Sequence, residues 1–528
     1  MSLRDFTTMV LAFLACAVVA YSVSRLILRR YQLAVLRSMT KLAGRTASPV
    51  TDARPAPDVP GRPLRFAYTD STTGRPVSRW ALNGLRRTGL VYLVAGLAFA
   101  ATMFFCTFRP AGWASYAGRF CILVWVFSWP AMLVWRVVTR VQWRWWVAGL
   151  AIYWAIGTCE LWAYMTIFPN DPAQFSGSPA VAAFSFWAGF NWGMTIAVPI
   201  FTERHVRAIG VLMLATAVLA SLGMLVSIRN QQTAVVVAAT SLAAAIAWPM
   251  LRGVAALHQR RLITDQSLMV DSIWLLYGAM TAMFRWDRGL TYTVPAALLP
   301  FVVFKIAAYA GFVRLVRVKD PPRPLLLLRV FSLGDRSRQL FGALAMRWRY
   351  LGPIRLISGP DLAAETVEPN EFLDFVSRRL SRHFIDDADG LSRQIAALHA
   401  RPDFDGRYRV DELFCHDDTW EPAVRALIAQ NPFVLMDLRR FSPSNSGCTF
   451  EVEELVRSAP LDRMVFVVDD TTDDRFLRAT FTDAWTRVDE ASPNRTATDP
   501  CVRLFRLDSL KPRTIRSLAT AVSARATG

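Results

Sequence analysis

Apolar segments long enough to cross a membrane recur through the first 318 residues of this chain of 528. A spanning helix needs roughly 20 apolar residues to cross a hydrocarbon core about 30 Å thick. The sequence therefore predicts an all-α membrane bundle at residues 1–318. Its helices, about nine in number, are predicted at 6–28, 89–108, 120–138, 146–168, 180–201, 208–228, 234–251, 267–286 and 291–313.

The distribution of Trp agrees with this division of the chain. Of the 18 Trp residues, only Trp348, Trp420 and Trp485 lie beyond residue 320. Trp collects where lipid headgroups meet acyl chains, because its ring is apolar and its N–H needs a hydrogen-bond partner. Hydrophobic residues make up 53% of the whole chain. We therefore expect the lipid bilayer to be the main partner of the first part of the chain.

Basic residues alternate from loop to loop along the predicted bundle. The segments after the first, third, fifth, seventh and ninth apolar stretches are rich in Arg and Lys, and the others are poor in them. Since basic residues accumulate on the cytosolic side, the pattern predicts a multi-pass plasma-membrane protein with its N-terminus outside and its C-terminal domain in the cytosol. The same loops explain the net charge of +19, and without a nucleic-acid-binding motif we expect no nucleic-acid partner.

The first apolar stretch and the loop after it have their own features. A cleaved signal peptide is the alternative at 6–28, but its basic residues follow the apolar stretch instead of preceding it. Residues 29–88 are predicted to form a cytosolic loop. Within it, the Pro- and Ala-rich segment 46–63 is typical of a disordered linker. Residues 64–88 are predicted to contain an interfacial helix.

The functional candidates among the ionisable residues of the predicted membrane helices are Glu160, Asp271 and Lys305. Such residues are candidates for a functional site because a charge in the bilayer is costly. Glu160 suggests an ion or proton path, and the alternative is a protonated or hydrogen-bonded side chain inside the bundle. Asp271 and Lys305 lie at similar depth on the last two helices. They are predicted to pair, and a purely structural pair is the alternative to a functional one.

Beyond residue 319 the pattern changes to short apolar runs that alternate with helical segments. Continuous apolar strands indicate a parallel sheet covered on both faces. The sequence thus predicts a soluble α/β domain at 319–528 with three layers and a mostly parallel five-stranded sheet. The strands are predicted at 325–331, 354–358, 433–438, 464–468 and 502–507. The helices are predicted at 336–349, 369–384, 390–400, 420–430, 450–459, 473–488 and 511–523.

Polar residues follow these strands, where the ligands of such sheets bind. The ligand-binding candidates are Ser332, Asp335, Asp361, Arg439, Arg440 and Ser442. An acidic run at 469–474 could hold Mg²⁺, but Thr and Asp are also preferred helix caps, and we expect it to cap the helix that begins near Asp473. No metal site is predicted. The seven Cys residues show no paired spacing, so neither disulfides nor structural zinc are expected.

Three segments of this domain resemble the Toll/interleukin-receptor (TIR) family: LLLRVFSLGDRSRQLF, GPIRLISGPDLAAETVEP and FVLMDLRRFSPSNSGCTFEVEEL. The resemblance implies a TIR-like or flavodoxin-like fold. In enzymatic members of the family a helix Glu carries NAD-glycohydrolase activity, which here implies Glu451, with Glu454 as the alternative. NAD would be a substrate, and no bound cofactor is implied. The Trp that usually precedes the family's Glu is absent from this sequence.

The chemistry of NAD cleavage explains why a carboxylate is needed. The glycosidic bond breaks through an oxocarbenium-like state, so an ionised Glu near the ribose stabilises the developing positive charge. A helix N-terminus would keep Glu451 ionised, and Arg439 or Arg440 would hold the pyrophosphate. The alternative for Glu451 is a helix-N-terminal acid with only a structural role.

Three functions follow from these observations. The first is a membrane-anchored sensor or effector, in which the bundle tethers a cytosolic TIR-like interaction or signalling module that binds a partner or self-associates as a homo-oligomer. The second is a membrane-tethered enzyme that cleaves NAD. The third is a transporter or channel with a cytosolic regulatory domain.

Overall fold

The chain forms two compact units, which are described separately. The computed structural model describes residues 22, 26–40, 63–69, 83–107, 113–139, 143–169, 178, 181, 249, 252–283, 289–316, 321–330, 335–358 and 369–524. The helical unit comprises Met1–Leu28, Leu85–Arg317 and Glu368–Asn370. The α/β unit comprises Arg29–Gly84, Val318–Val367 and Glu371–Gly528. The segment Arg29–Gly84, which the sequence places in a loop of the membrane domain, thus belongs to the α/β unit.

The described part of the helical unit is made of apolar helices. They include α1 (Gly84–Thr107), α2 (Trp113–Phe127), α3 (Trp129–Thr139), α4 (Trp143–Ile167), α5 (Asp265–Met283) and α6 (Leu290–Leu315). The chain between α2 and α3 turns at Ser128, just before Pro130, whose ring disfavours an uninterrupted helix. The two helices together form a single apolar stretch, Tyr116–Thr139.

Three helical stretches among the described residues are long and apolar enough to cross a membrane: Gly84–Cys106, Tyr116–Thr139 and Thr291–Leu315. The structure therefore does not support the predicted number of about nine. Helices α4 and α5 do occupy the predicted segments 146–168 and 267–286, but Trp, Glu and Asp residues lower their mean hydropathy. The predicted helices at 180–201, 208–228 and 234–251, and nearly all of 6–28, lie outside the described residues.

Large apolar side chains are exposed along α6. Val302, Ile306 and Tyr309 are 48%, 65% and 61% exposed, whereas Phe304 and Phe312 on the same helix are buried. Thr281 and Ser267 on α5 are buried too. Continuous apolar surface of this kind is rare on water-soluble proteins and marks a surface that contacts lipid or another protein.

The described residues of the α/β unit form one parallel sheet of eight strands, in the order β1-β8-β7-β6-β2-β3-β5-β4. The predicted five-stranded sheet is therefore wrong in its number of strands, although each of the five predicted strands is present. The strands are β1 (Arg65–Tyr68), β2 (Leu325–Arg329), β3 (Ile354–Ile357), β4 (Phe384–Ile385), β5 (Val410–Cys415), β6 (Phe433–Asp437), β7 (Met464–Val468) and β8 (Cys501–Arg506).

The five predicted strands form the centre of this sheet in the order β3-β2-β6-β7-β8. Numbered among themselves, they follow the doubly wound order 2-1-3-4-5. The order reverses between β2 and β6, which makes the carboxyl ends of these two strands the topological switch point. Strands β5 and β4 extend the sheet beyond β3, and β1 extends it beyond β8.

Helices cover both faces of the sheet, as the predicted three layers require. They are α7 (Asp335–Trp348), α8 (Pro369–Val376), α9 (Ala388–Ala396), α10 (Trp420–Gln430), α11 (Ser446–Ser458), α12 (Asp474–Thr486) and α13 (Pro512–Ser523). Leu325 and Leu327 of β2 join the core with α7 and α13. Leu326 and Leu328 join the opposite core with α10, α11 and α12. This alternation follows from the period of two in a strand.

Residues before the membrane-type helices complete the α/β unit. Strand β1 occupies part of the segment 64–88, where an interfacial helix is predicted, and pairs with β8 from Arg65↔Cys501 onward. A helix over residues 26–39 packs on the unit through Tyr31, whose ring lies 5.2 Å from that of Phe375 in an edge-to-face arrangement. The predicted linker 46–63 lies outside the described residues, apart from residue 63.

Candidate functional site

The switch point brings two oppositely charged residues together. Arg329 ends β2 and Asp437 ends β6, and they are register partners across the two strands. Their exposures are only 3% and 1%. Helix α11 follows β6 and brings Cys448 to the same place, with its Sγ 3.7 Å from the Arg329 carbonyl oxygen. The carboxyl end of the sheet is thus lined by buried charged groups.

Glu451 lies one helical turn after Cys448 and is only 2% exposed. Its Oε2 has no hydrogen-bond partner among the described residues. Burial raises the pKa of Glu451 to about 8, although the charge of Arg329 acts in the opposite direction. The carboxyl group is therefore mostly protonated at neutral pH.

The prediction that a helix N-terminus keeps Glu451 ionised is wrong. The helix begins at Ser446, earlier than the predicted start at 450, so Glu451 lies in its second turn. The macrodipole acts mainly within the first turn. Desolvation in the core outweighs it. The same burial, together with the charges of Glu451 and Asp437, raises the pKa of the Cys448 thiol, so this thiol is a poor nucleophile.

Arg439 forms a bidentate ion pair with Asp437. Its Nε donates to Asp437 Oδ1 over 2.8 Å, and its Nη2 donates to Oδ2 over 2.6 Å. Nη2 also donates to the Arg336 carbonyl oxygen over 3.1 Å. Arg439 is 4% exposed. This guanidinium is buried and hydrogen-bonded within the protein, so it is not available to bind a pyrophosphate.

The other candidates near the switch point differ in their availability. Arg440 is exposed, has a φ of 60°, and makes no hydrogen bond or ion pair within the described ranges. The Ser442 hydroxyl donates to Asn445 Oδ1 over 3.1 Å, in the turn that leads into α11. Asp335 begins α7. Ser332 and Asp361 lie outside the described residues.

Glu454, the alternative catalytic residue, has a full set of donors. Arg425 Nε donates to its Oε2 over 3.1 Å, Ser458 Oγ donates to its Oε1 over 2.6 Å, and Arg457 also pairs with it. These contacts join α10 to α11. The geometry therefore favours a structural role for Glu454 and leaves Glu451 as the acid at the switch point.

Three charged residues near the switch point are not among those predicted from the sequence: Arg329, Asp437 and Arg336. Arg329 and Asp437 each lie near the carboxyl end of a predicted apolar strand. A charged residue at such a position was the signal that could have marked them as candidates. Arg336 pairs with Asp469 at the end of β7. The ion pairs Arg439–Asp437 and Arg336–Asp469 thus lie over the ends of β6 and β7.

The acidic run after β7 acts as a helix cap. Asp473 is the N-cap of α12, and its side chain accepts a hydrogen bond of 3.0 Å from the backbone N–H of Phe476. The capping prediction is confirmed. No group of three or more metal-ligating side chains occurs in the part of the chain that the structure describes.

In the helical unit, Lys305 and Asp271 form the predicted pair. Lys305 Nζ donates to Asp271 Oδ2 over 2.7 Å, and the side chains are 34% and 16% exposed. The pair joins α5 to α6. Glu160 on α4 is half-buried, and its Oε2 has no hydrogen-bond partner among the described residues.

We expect Lys305→Met to lower the stability of the helical unit by roughly 1–3 kcal/mol, because Asp271 would remain between apolar helices without its partner. The double variant Lys305→Met/Asp271→Leu should recover most of the loss, since it leaves no unpaired charge. The measurement is the thermal midpoint of the detergent-purified chain. A double variant that is less stable than Lys305→Met would contradict a structural role for the pair.

Comparison of the chain with protein-family models, with curated proteins and with solved structures finds no match. The fold itself defines the class of protein: a doubly wound, all-parallel α/β unit linked to helices apolar enough to cross a membrane. The TIR resemblance stays a prediction.

Proposed function

We propose that this chain is a membrane-anchored sensor or effector. In this proposal a multi-pass bundle in the plasma membrane, with about nine helices by the length criterion and the N-terminus outside, tethers a cytosolic TIR-like module. The module acts by binding a partner, including a second copy of itself, and not by catalysis. No nucleic acid takes part.

One observation carries this proposal: two of the predicted site residues near the switch point, Arg439 and Glu451, are buried within the chain. Arg439 is neutralised by Asp437, and Glu451 is buried and mostly protonated at neutral pH. An enzyme that stabilises an oxocarbenium-like state needs an ionised carboxylate at the substrate. The arrangement favours a module that recognises partners through its surface.

The exposed apolar side chains of the helical unit support the anchoring half of the proposal. Val302, Ile306 and Tyr309 fit a surface that contacts acyl chains. The polar pair Lys305–Asp271 is largely shielded between α5 and α6. Polar groups between helices and apolar groups on the outside are the arrangement that a bilayer favours.

The NAD-cleaving enzyme remains the second candidate, and the position of Glu451 favours it. An unpaired acid beside an arginine at the switch point is where a ligand of a doubly wound sheet would be bound. For catalysis, a ligand would have to reach Glu451 and lower its pKa.

We expect the full-length chain, reconstituted at high density in proteoliposomes, to leave NAD intact. The whole chain is needed because a fragment from residue 320 onward would lack β1 and the helix over 26–39. The measurement is nicotinamide release, monitored by chromatography.

A second experiment tests membrane anchoring. Sodium carbonate extraction of the same membranes should leave the protein in the pellet, as anchoring requires.

Two variants make the NAD experiment decisive. Nicotinamide release by the wild type that is lost in Glu451→Gln would overturn the interaction proposal and establish the enzyme. Release that persists in Glu451→Gln but is lost in Glu454→Gln would move the activity to the alternative residue. A protein that carbonate extracts into the supernatant would contradict membrane anchoring.

A further inference from the structure

The helix over residues 26–39 has two different faces. Leu28, Tyr31 and Val35 are 8%, 1% and 0% exposed and form one side of it. Spacings of three and four residues place them on one side of a helix. His416 Nδ1 lies 2.7 Å from the Ser38 carbonyl oxygen, and this contact joins the C-terminal end of the helix to the α/β unit. The helix is therefore fixed in one rotation about its axis.

The opposite face combines exposed leucines with arginines. Leu26, Leu33 and Leu36 are 53%, 50% and 43% exposed. Arg29, Arg30 and Arg37 are exposed beside them. On a helix of 3.6 residues per turn, positions 26, 29, 30, 33 and 37 form one stripe. We call this stripe, together with Leu36, the outer face.

The charge of the segment is of one sign only. Between residues 26 and 45 there are five basic residues and no acidic one: Arg29, Arg30, Arg37, Lys41 and Arg45. The outer face thus lacks an internal counter-charge from its own helix. Exposed leucines among arginines are the composition of helices that lie in the headgroup region of anionic membranes.

We propose that the outer face binds the anionic lipid surface of the membrane, with the arginines on lipid phosphates and the leucines at the headgroup boundary. This inference rests on the proposed membrane anchoring and adds to it a specific surface and its partner. Because the buried side of the helix, with Tyr31, packs against the α/β unit, the helix would hold that unit in a defined orientation at the membrane. The interfacial helix of this protein would then lie at 26–39 instead of the predicted 64–88.

Charge and shape favour lipid over an acidic protein segment as the partner. Single-sign charge spread along a stripe matches a field of phosphates, which needs no fixed register. The leucines lie in the same stripe as the arginines. A partner must therefore offer both anionic and apolar groups along the whole helix. Headgroups above acyl chains do so, because they place anionic and apolar groups side by side.

The test is photo-crosslinking in the full-length chain. p-Benzoylphenylalanine replaces Leu33 or Leu36 on the outer face, Tyr68 on β1, or Tyr309 on α6, one position at a time. Tyr68 and Tyr309 are 54% and 61% exposed. Nanodiscs contain phosphatidylcholine alone or with phosphatidylglycerol, and lipid adducts are quantified by mass spectrometry. We expect adducts at 33 and 36 that increase with phosphatidylglycerol, adducts at 309 in both lipids, and none at 68.

A charge-matched pair of variants tests the arginines. The triple change Arg29→Gln, Arg30→Gln and Arg37→Gln should reduce the phosphatidylglycerol-dependent adducts at 33 by about fivefold for each arginine. The control triple change Arg475→Gln, Arg513→Gln and Arg516→Gln removes the same charge from exposed positions elsewhere and should leave the adducts unchanged.

Each contrary outcome has a distinct meaning. Adducts at 309 without adducts at 33 and 36 would overturn this inference and leave membrane anchoring intact. The absence of adducts at 309 would instead contradict the anchoring. Protein adducts at 33 and 36 would identify a protein partner and overturn the lipid assignment, as would lipid adducts that do not respond to phosphatidylglycerol.

Discussion

Asp437→Asn is expected to destabilise the α/β unit by about 3–5 kcal/mol, the cost of leaving a buried charge without its partner. Arg439 would keep its guanidinium at 5% side-chain exposure without the carboxylate that now binds it. The Asn amide cannot supply a negative charge, and Arg329 would lose its register partner's charge as well. The substitution changes the side-chain volume very little, so the loss reports charge and not packing.

The measurement is urea unfolding of the full-length chain, with the alkylation of Cys415 as the probe of unfolding. This thiol is 1% exposed on β5 and reacts only when the α/β unit opens. Asp474→Asn is the matched control, because Asp474 pairs with Arg478 in an exposed ion pair worth about 0–1 kcal/mol. Equal urea midpoints for the two variants would show that the buried pair contributes no more than the exposed one.

Glu451→Gln is expected to make the α/β unit more stable at pH 7, by up to about 3 kcal/mol. The carboxyl has a pKa of about 8 in the folded protein, against an ordinary value of 4.5. Between these two values the unfolded chain releases the proton and the folded chain keeps it. The wild type should therefore lose stability as the pH rises through this window, by about 1.4 kcal/mol for each pH unit. Gln cannot ionise, so the variant should lose this dependence.

Urea midpoints at pH 5.5 and pH 8, read again through Cys415 and corrected for the reactivity of the unfolded thiol, test the prediction. Glu453→Gln is the control, because Glu453 belongs to the same helix but its side chain is 38% exposed. The control should keep the pH dependence of the wild type. A slope that is unchanged in Glu451→Gln would mean that Glu451 is ionised in the folded protein, which would remove the main argument against catalysis.

The two experiments together bear on the function. If both predictions hold, the switch point is a stabilising cluster of internal charges around a neutral acid. The module would then recognise partners elsewhere on its surface. The outer face of the helix over 26–39 supplies one such surface, with lipid as the proposed partner.

Features that depend on neighbouring residues could be predicted from the sequence. Apolar runs located the described membrane-type helices, and the five predicted strands lie close to their predicted bounds, whereas the predicted helix 369–384 ends at Val376. The Asp473 cap and the Lys305–Asp271 pair also followed from local spacing. These features are set within a few turns of one helix or across one helical hairpin, where periodicity and capping chemistry suffice.

The other features arise from contacts between segments that are far apart in the sequence. Strand β1 has four residues, too few to show a period, and it joins the sheet through β8, where Arg65 pairs with Asp499, 434 residues later. The raised pKa of Glu451 and the ion pair between Arg439 and Asp437 depend on burial, which strands distant in the sequence create. A sequence shows which groups can ionise. Whether they do is decided by the water and the charges that the folded chain leaves around them.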